Sequence, residues 1–369
     1  ETDDPGGEVV MTTGNSDWAA IAWAPYSRRS EMFARELGGP LHCVHHLRFQ
    51  SPPHAPVKYM MQALSTLWRL FSERPRAVHV QNPPFVCGLT VALYCWVTGS
   101  CYVVEHHSAA FGRIWDWARP FQKLVVRRAV TNIVTDGHWG DVVRSWGGRR
   151  SPAHALVMHD AFLDLPEGEP FAVGPGRSIA FAGTFADDEP LDAVLDAARL
   201  VPDVRFYVTG DTAKAPQAVV AQAPPNVTFT GFLDVNGKYL GLLRAVDAVM
   251  VLTTRDHTLQ LAGCEAIAVG TPLITSDWPY LRELFSTAAV YVAPTRESIR
   301  DGVVEATQRL PELRHEALEV RRAQRARWQA QMAQLRALVE AGGGVTQPRG
   351  APCAVEQTPD QRARTEVPT

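Results

Sequence analysis

Short apolar runs alternate with amphipathic segments along most of the chain. In the first half, six runs predict strands, at residues 18–24, 41–47, 77–80, 102–105, 132–135 and 155–158. The second half repeats the pattern, with strands predicted at residues 178–182, 205–209, 227–230, 248–252 and 272–275. The segments between them space apolar residues three or four apart, as in helices packed on a sheet. This alternation is typical of α/β proteins with parallel sheets.

A segment rich in Pro and Gly, residues 165–177, separates the two series. It predicts an N-terminal domain over residues 1–165 and a C-terminal domain over residues 166–312. Both are expected to be Rossmann-like and doubly wound. Such sheets bind ligands at the carboxyl ends of their strands, so we expect a ligand cleft where the two domains face each other.

The last part of the chain divides into two segments. Residues 313–341 are Arg-rich and amphipathic, and they predict one long helix that packs across the domains. A helix for a membrane surface or a partner is the alternative. Residues 342–369 are dominated by Gly, Gln, Pro, Arg and Thr, and we expect no stable order there. The chain begins with Glu1 rather than Met, which leaves open where the native chain begins.

Composition and charge exclude several classes of protein. Hydrophobic residues make up 46% and charged residues 20%, which excludes general disorder and collagen. The net charge of −3 provides no global positive field for nucleic acid. Apolar runs are too short to span a bilayer, and the six cysteines lack the spacing of a zinc site. We therefore expect a cytoplasmic enzyme or binding protein.

Motif searches narrow the chemistry further. The patterns GxGxxG, GxxxxGK[ST], HExxH and GxSxG do not occur, which argues against a dinucleotide oxidoreductase, a P-loop NTPase, a zincin and a typical serine hydrolase. His42, His45 and His46 lie close together, yet no carboxylate or cysteine has the spacing of a metal ligand beside them. No metal site is predicted.

Residues 253–276 form the segment with the clearest chemical pattern. It predicts a strand, a polar loop, a helix, a tight turn and another strand. The helix begins near Thr258, Leu259 and Gln260, where backbone amides and the positive end of the helix dipole favour a diphosphate. Arg255 and His257 add positive charge beside it. A surface role for Arg255 is the alternative.

Glu265 lies inside this helix and is the candidate for ribose binding. An ionised carboxylate can accept hydrogen bonds from two vicinal hydroxyls at once. A structural salt bridge is the alternative. From His257 onward, the pattern continues with Glu265-Ala266 and a Gly270-Thr271-Pro272 turn. It resembles the GT-B-fold glycosyltransferases of family 4, also called group 1. The resemblance implies ribose binding by Glu265 and puts His257 where that family has an acidic residue.

Two further segments of the second half carry the same resemblance. Gly183 and Thr184 follow a strand, and the resemblance implies that their amides face the donor phosphates. The Arg and Lys that follow in family 4 are replaced by residues 186–190, Ala-Asp-Asp-Glu-Pro. We therefore expect Arg255 and the helix ends to hold the diphosphate. Phe232 and Leu233 match the segment that frames the nucleobase.

The first half carries weaker matches. Gln81-Asn82-Pro83-Pro84 and Met158-His159-Asp160 are similar to segments of β-1,4-mannosyltransferases that act on lipid-linked chitobiose. His106 and His107 end a strand where many GT-B enzymes place a histidine facing the sugar. Neighbours in an extended chain point opposite ways, so at most one faces the cleft. The catalytic candidates are His106, His107, Arg255 and His257.

These matches imply a metal-independent glycosyltransferase, a hexosyltransferase without a resident cofactor. Its donor would be a UDP- or GDP-linked nucleotide sugar, and its acceptor a glycan or lipid-linked molecule in bacterial polysaccharide or glycolipid synthesis. Two alternatives stay open: a non-catalytic GT-B binding subunit and a nucleotide-sugar 2-epimerase. The Trp and Arg content of the first domain adds an expected peripheral contact with the inner face of the plasma membrane.

Overall fold

The computed structural model describes residues 16–47, 54–148, 153–159, 162 and 164–343. Two parallel six-stranded sheets form the framework. The strands of the first sheet are β1 Trp18–Ala22, β2 Leu41–Cys43, β3 Ala77–Asn82, β4 Cys101–His106, β5 Thr131–Val134 and β6 Ala155–Val157. Their order in the sheet is β2-β1-β3-β4-β5-β6.

The second sheet repeats this arrangement. Its strands are β7 Arg177–Phe181, β8 Val204–Thr209, β9 Val227–Gly231, β10 Ala248–Val251, β11 Leu273–Ser276 and β12 Ala289–Val292. Their order is β12-β11-β10-β7-β8-β9, with every pair parallel. Strand β12 was not expected from the sequence. The predicted α/β class, with two Rossmann-like domains, is confirmed.

Helices connect the strands on both faces of each sheet. In the first half they are α1 Arg28–Leu37, α2 Ala55–Glu73, α3 Phe85–Thr98, α4 Arg119–Arg128 and α5 Gly137–Trp146. The second half contains α6 Leu191–Leu200, α7 Gln217–Ala221, α8 Lys238–Ala245, α9 Leu261–Val269, α10 Pro279–Phe285, α11 Arg296–Gln308 and α12 Leu310–Gly343. Short 3-10 helices cover Ser108–Phe111, Arg113–Ala118 and Ser286–Ala288. Among the described helices, none combines the length and apolarity needed to cross a membrane.

The two faces of the first sheet have separate cores because side chains alternate along each strand. Ile21, Val80 and Val104 pack on one face with residues of α2, α3 and α4. Val103 and Ile133 pack on the other face with residues of α1 and α12. The helices α2 to α4 therefore form a layer on the side away from α12.

Helix α12 belongs to both cores. Near its start, Leu313 and Ala317 pack against the second sheet and its helices. Further along, Trp328 and Met332 are buried against the first sheet. The helix thus extends a little beyond the predicted residues 313–341. The tail was predicted over residues 342–369, but its first two residues belong to this helix. Residues 344–369 lie outside the described part of the chain, as do residues 1–15.

Candidate active site

Side chains from the two sheets meet across a cleft at the carboxyl ends of the strands. Arg28, at the start of α1, places its Nε 2.9 Å from Oε1 of Glu265 on α9. Its Nη2 also donates to Oδ1 of Asn236 at 3.1 Å. A cavity of about 130 Å³ lies beside this pair, lined in part by Leu165 and Leu261. The predicted cleft therefore contains Glu265, with Arg28 of the first domain directly against it.

Glu265 is buried at the middle of α9 and accepts a second hydrogen bond. The hydroxyl of Tyr239 donates to its Oε2 at 3.0 Å. Burial and the adjacent carboxylate raise the pKa of Tyr239 well above its usual value, so the phenol stays protonated and donates. Arg28 thus contacts one oxygen of the Glu265 carboxylate, and Tyr239 contacts the other. Two vicinal hydroxyls would have to replace at least the Arg28 contact.

The start of α9 offers backbone donors to an anion. Thr258, Leu259 and Gln260 lead into the helix, and Gln260 provides no side-chain cap. The first amides of a helix have no partner within it, and they lie at the positive end of its dipole. Glu265 follows Leu261 by about one turn of ~5.4 Å. A group bound at the helix start and another at Glu265 would lie one turn apart.

His257 joins the same loop to the first domain. Its Nδ1 lies 2.7 Å from Oδ2 of Asp136, and its ring stacks on His138 with centroids 4.2 Å apart. Trp139 donates its indole N–H to the His257 carbonyl at 2.8 Å. The backbone of His257 adopts a φ of +54°, which is uncommon for a residue with a side chain. His257 therefore makes a contact between the domains.

Asp136 is a residue of this site that sequence reasoning missed. It follows β5 and is the N-cap of α5, where its Oδ1 accepts from the Trp139 amide at 3.0 Å. Its other oxygen is the partner of His257. An aspartate directly after a strand and before a helix is the signal that could have identified it.

Arg255 lies in the loop after β10, with its side chain mostly exposed to solvent. Its side chain is 63% exposed, and its Nη1 is 3.4 Å from Oδ1 of Asp188. Asp188 also accepts from the Thr253 hydroxyl at 2.6 Å. The charge of Arg255 is thus partly balanced by a carboxylate of the loop after β7.

The predicted phosphate loop after β7 holds a carboxylate of its own. The amides of Thr184 and Phe185 donate to Oε2 of Glu189 at 2.8 and 2.7 Å. The Thr184 hydroxyl donates to its Oε1 at 2.8 Å. A Cβ on Gly183 would come within 2.9 Å of the same carboxylate. Glu189 therefore occupies the place of an anion on these amides, an arrangement that the sequence did not predict.

Phe232 and Leu233, the predicted nucleobase segment, follow β9. The Phe232 side chain is 75% exposed, while Leu233 packs partly buried against the core of the second domain. An exposed aromatic ring is suited to stacking on a flat ligand.

The two adjacent histidines after β4 differ in their surroundings. His106 is buried, its Nδ1 is 2.9 Å from Nδ2 of Asn82, and its Nε2 is 3.0 Å from Oδ1 of Asn132. Burial lowers the pKa of His106 to about 4, so the ring is neutral at pH 7. His107 is 34% exposed. Of the two, His107 is the residue that is partly exposed to solvent at the carboxyl ends of the strands.

A buried carboxylate lies behind His107. The Nε2 of His107 is 3.5 Å from Oε1 of Glu105, and the Nε2 of His79 is 3.2 Å from its Oε2. Arg29 donates its Nε to the same carboxylate. Burial alone raises the pKa of Glu105, yet the Arg29 charge and the neighbouring His107 and His79 rings hold it well below the usual value. An ionised group therefore faces the His107 ring.

Residues 81–84 and 158–159, from the segments similar to mannosyltransferases, also lie at the carboxyl ends of strands of the first sheet. Gln81 accepts a hydrogen bond from the Ser30 hydroxyl at 3.2 Å. His159 is buried, and burial lowers its pKa to about 4. Asp160 lies outside the described residues. In the described part of the chain, no group of three or more His, Cys, Asp or Glu is arranged to hold a metal ion.

Comparisons with known proteins agree with this architecture. Residues 176–310 match the family model described as Glycosyl transferases group 1. Comparison with curated protein sequences gives no match.

Solved structures with the same fold cover nearly the whole chain. Sucrose-phosphate synthase from Thermosynechococcus elongatus has a TM-score of 0.66 and 13% identity, covering 89% of this chain and 99% of its own. Anabaena HepE, solved with UDP and glucose, has a TM-score of 0.63 and 13% identity, covering 88% of this chain and 91% of its own. A glycosyltransferase from Rickettsia africae has a TM-score of 0.58 and 8% identity, covering 88% and 89%.

At these identities the structural comparisons establish the fold alone, and the family match supplies the relationship. It covers the second sheet from β7 to β12 and includes both Glu265 and Arg255. The chain therefore has the GT-B fold, and its residues 176–310 match the model of the glycosyl transferases group 1 family.

Proposed function

We propose that the chain is a glycosyltransferase that takes a sugar from a UDP- or GDP-linked donor and transfers it to a glycan or lipid-linked acceptor. The observation that carries this proposal is the carboxylate of Glu265. It is buried in the cleft, within the segment that matches the group 1 family model, and one helical turn after the uncapped start of α9. HepE, of the same fold, was solved with UDP and glucose, which supports a nucleotide-sugar donor.

In this proposal the ribose hydroxyls of the donor bind Glu265 and displace Arg28. The diphosphate then lies toward the start of α9, where helix amides and the dipole stabilise negative charge. The displaced guanidinium of Arg28 remains beside the cleft and is suited to pair with a phosphate oxygen. Arg255 provides a second positive charge at the loop edge. These groups would stabilise the nucleoside diphosphate as it leaves.

His107 is the proposed proton acceptor for the acceptor hydroxyl. Its ring lies at the edge of the first sheet, and the ionised Glu105 behind it would stabilise the imidazolium that forms. General base catalysis of this kind typically contributes a factor of ~100 to 10,000. His106 has both ring nitrogens in hydrogen bonds, so it would hold the strand edge rather than contact the sugar.

A screen of UDP- and GDP-sugars tests the proposal directly. The full chain is incubated with each donor, with and without candidate acceptors, and the melting temperature and the release of UDP or GDP are measured. We expect at least one donor to raise the melting temperature and to release its nucleotide. Glu265→Gln should weaken donor binding at least ~10-fold, since a hydrogen bond to a charged group is worth ~1.5–3 kcal/mol. Glu319→Gln, an exposed carboxylate on α12, is the matched control.

Failure of every donor to shift the melting temperature, or a Glu265→Gln variant that binds like the unchanged chain, would contradict the proposal. A non-catalytic binding subunit is the second candidate. The carboxylate of Glu189 on the loop amides and the Asp136 contact of His257 favour it, because both groups are already bound within the protein. In that case a donor would raise the melting temperature, and no acceptor would give turnover.

A further inference from the structure

Three helical segments of the first domain present large apolar side chains to solvent. On α2, the exposed residues Met60, Leu64, Trp68 and Phe71 repeat every three or four positions, which puts them on one face of the helix. Leu93, Trp96 and Val97 do the same on α3. The segment that runs from the second 3-10 helix into α4 adds Ile114, Trp117, Phe121 and Leu124.

These stripes form one continuous surface, here named the α2–α4 surface. Phe71 of α2 and Tyr94 of α3 contact edge to face, with ring centroids 5.2 Å apart. Phe85 at the start of α3 lies 5.4 Å from the Trp117 ring and 5.9 Å from the Phe121 ring. Tyr94 and Phe85 are themselves buried, so these contacts show that the helices are direct neighbours in one layer, and their exposed stripes face the same side.

The exposure of the tryptophans marks this surface as unusual. Trp68 is 70% exposed, and Trp96 and Trp117 are each 67% exposed. By contrast, Trp23, Trp146 and Trp328 are buried in the cores. Scattered exposed apolar residues are ordinary, whereas a contiguous apolar surface marks an interaction site.

The charge of the same region is strongly positive. Residues 54–128 carry nine Lys and Arg against three Asp and Glu, although the whole chain has 36 against 39. One residue of each sign is buried, Lys58 of the basic set and Glu105 of the acidic set, which leaves eight basic and two acidic side chains. Residues 113–128 alone contain five basic side chains, and Asp116 is paired with Arg119. Helix α3 has no charged side chain.

We propose that the α2–α4 surface docks on an anionic lipid membrane. Tryptophan rings favour the boundary between headgroups and acyl chains, and the leucines and methionines beside them can bury in the outer acyl region. The flanking Arg and Lys side chains attract anionic headgroups and fall within a Debye length of them. Apolar stripes that include three exposed tryptophans, with flanking basic residues, match the apolar interior and the anionic headgroups of such a membrane.

The position of the surface fits a lipid-borne acceptor, although the docking itself does not depend on the proposed activity. The segment from Ile114 to Leu124 begins seven residues after His107. Helix α3 begins three residues after Asn82, whose strand ends at the cleft. A membrane against the α2–α4 surface would therefore lie beside the first-domain edge of the cleft.

Vesicle co-sedimentation of the full chain tests the docking. Phosphatidylcholine vesicles are compared with vesicles that also contain phosphatidylglycerol, at low and high salt. We expect binding to the anionic vesicles that weakens as salt rises. The triple variant Trp68→Ser, Trp96→Ser, Trp117→Ser should lower the bound fraction ~10-fold or more. The matched control, Leu200→Ser, Val304→Ser, Leu318→Ser, changes exposed apolar residues elsewhere and should bind like the unchanged chain.

Variants that replace basic residues by glutamate measure the electrostatic contribution to vesicle binding. Arg119→Glu, Lys123→Glu and Arg127→Glu should abolish the preference for anionic vesicles, while Arg296→Glu, Arg300→Glu and Arg322→Glu should leave it intact. Melting temperature and its shift with a donor report on folding and on the cleft, independently of vesicle binding. The proposal is overturned if the unchanged chain ignores anionic vesicles, or if the tryptophan variant binds them equally. A dimer that the tryptophan variant abolishes, without vesicle binding, would instead assign the surface to a second copy.

Discussion

Arg28 and Glu265 form an ion pair between the two domains, with 2.9 Å between Nε and Oε1. Both side chains are less than 10% exposed, so their charges are largely removed from water. A pair of this kind is weak evidence for net stability, but loss of one partner leaves a buried charge uncompensated. The pair therefore couples the ribose-binding candidate to the relative position of the domains.

The first prediction concerns this pair. Arg28→Gln should lower the free energy of unfolding by ~3 kcal/mol, because the buried Glu265 carboxylate loses the guanidinium charge that lies 2.9 Å from its Oε1. The double variant Arg28→Gln, Glu265→Gln should recover part of that loss. Urea denaturation of both single variants and the double variant gives the coupling energy, expected above ~1 kcal/mol. Strict additivity of the two substitutions would show that the side chains do not interact.

The second prediction concerns the carboxylate on the loop after β7. Glu189→Ala should free the amides of Thr184 and Phe185, so that pyrophosphate binds more tightly than to the unchanged chain. Titration calorimetry with pyrophosphate measures the difference, expected at ~10-fold because a like charge also leaves the site. Asp187→Asn changes the net charge equally on the same loop and is the control. Equal affinity of the Glu189→Ala and control variants would refute an anion site at these amides.

The third prediction distinguishes the adjacent histidines. His107→Gln should lower the rate of sugar transfer ~100-fold or more, with donor binding unchanged, because it removes the proposed proton acceptor. His154→Gln, an exposed histidine away from the cleft, should transfer at the normal rate. Transfer rates at saturating donor, together with donor affinities, separate the two effects. A normal rate in His107→Gln would exclude this residue as the base.

The fourth prediction follows from two buried histidines. Burial lowers the pKa of His106 and of His159 to about 4, whereas an unfolded histidine titrates near ~6.5. Between these values the unfolded chain binds protons that the folded chain does not, so the free energy of unfolding falls as pH falls. From pH ~7 to pH ~5 each histidine should contribute a loss of ~1–2 kcal/mol.

Urea denaturation at the two pH values measures this slope. His106→Gln removes one titrating group and should make the dependence on pH shallower. The control is His154→Gln, which changes an exposed histidine and should leave the dependence of the free energy of unfolding on pH unchanged. An unchanged slope in His106→Gln would mean that His106 does not titrate with the expected shift.

Much of the architecture could be predicted because it depends on local patterns. The sequence predicts a helix after the polar loop that follows β10, and α9 covers Leu261–Val269 there, which puts Glu265 in the cleft. Strand β12 and helix α11 were missed. Ala289–Val292 is a four-residue strand at the edge of the sheet, too short for its periodicity to identify it.

The contacts of the site were harder to predict. Arg28 is 237 positions from Glu265 and Asp136 is 121 from His257, so these pairs depend on how the domains lie against each other. The sequence indicates Glu265 and His257, but neither of their partners. The contact of Glu189 with Thr184 is local by comparison, and an acidic residue five positions after Thr184, in the loop after β7, could have indicated it.

The shared helix α12 has a consequence for the order of folding during synthesis. The core of the first sheet, whose strands begin at Trp18, includes Trp328, Met332 and Leu335. These residues leave the ribosome after the whole second sheet has been made. The first domain therefore completes its core last, although its strands are synthesised first. Until then, the face of its sheet that packs on α12 stays exposed to chaperones and to misfolding.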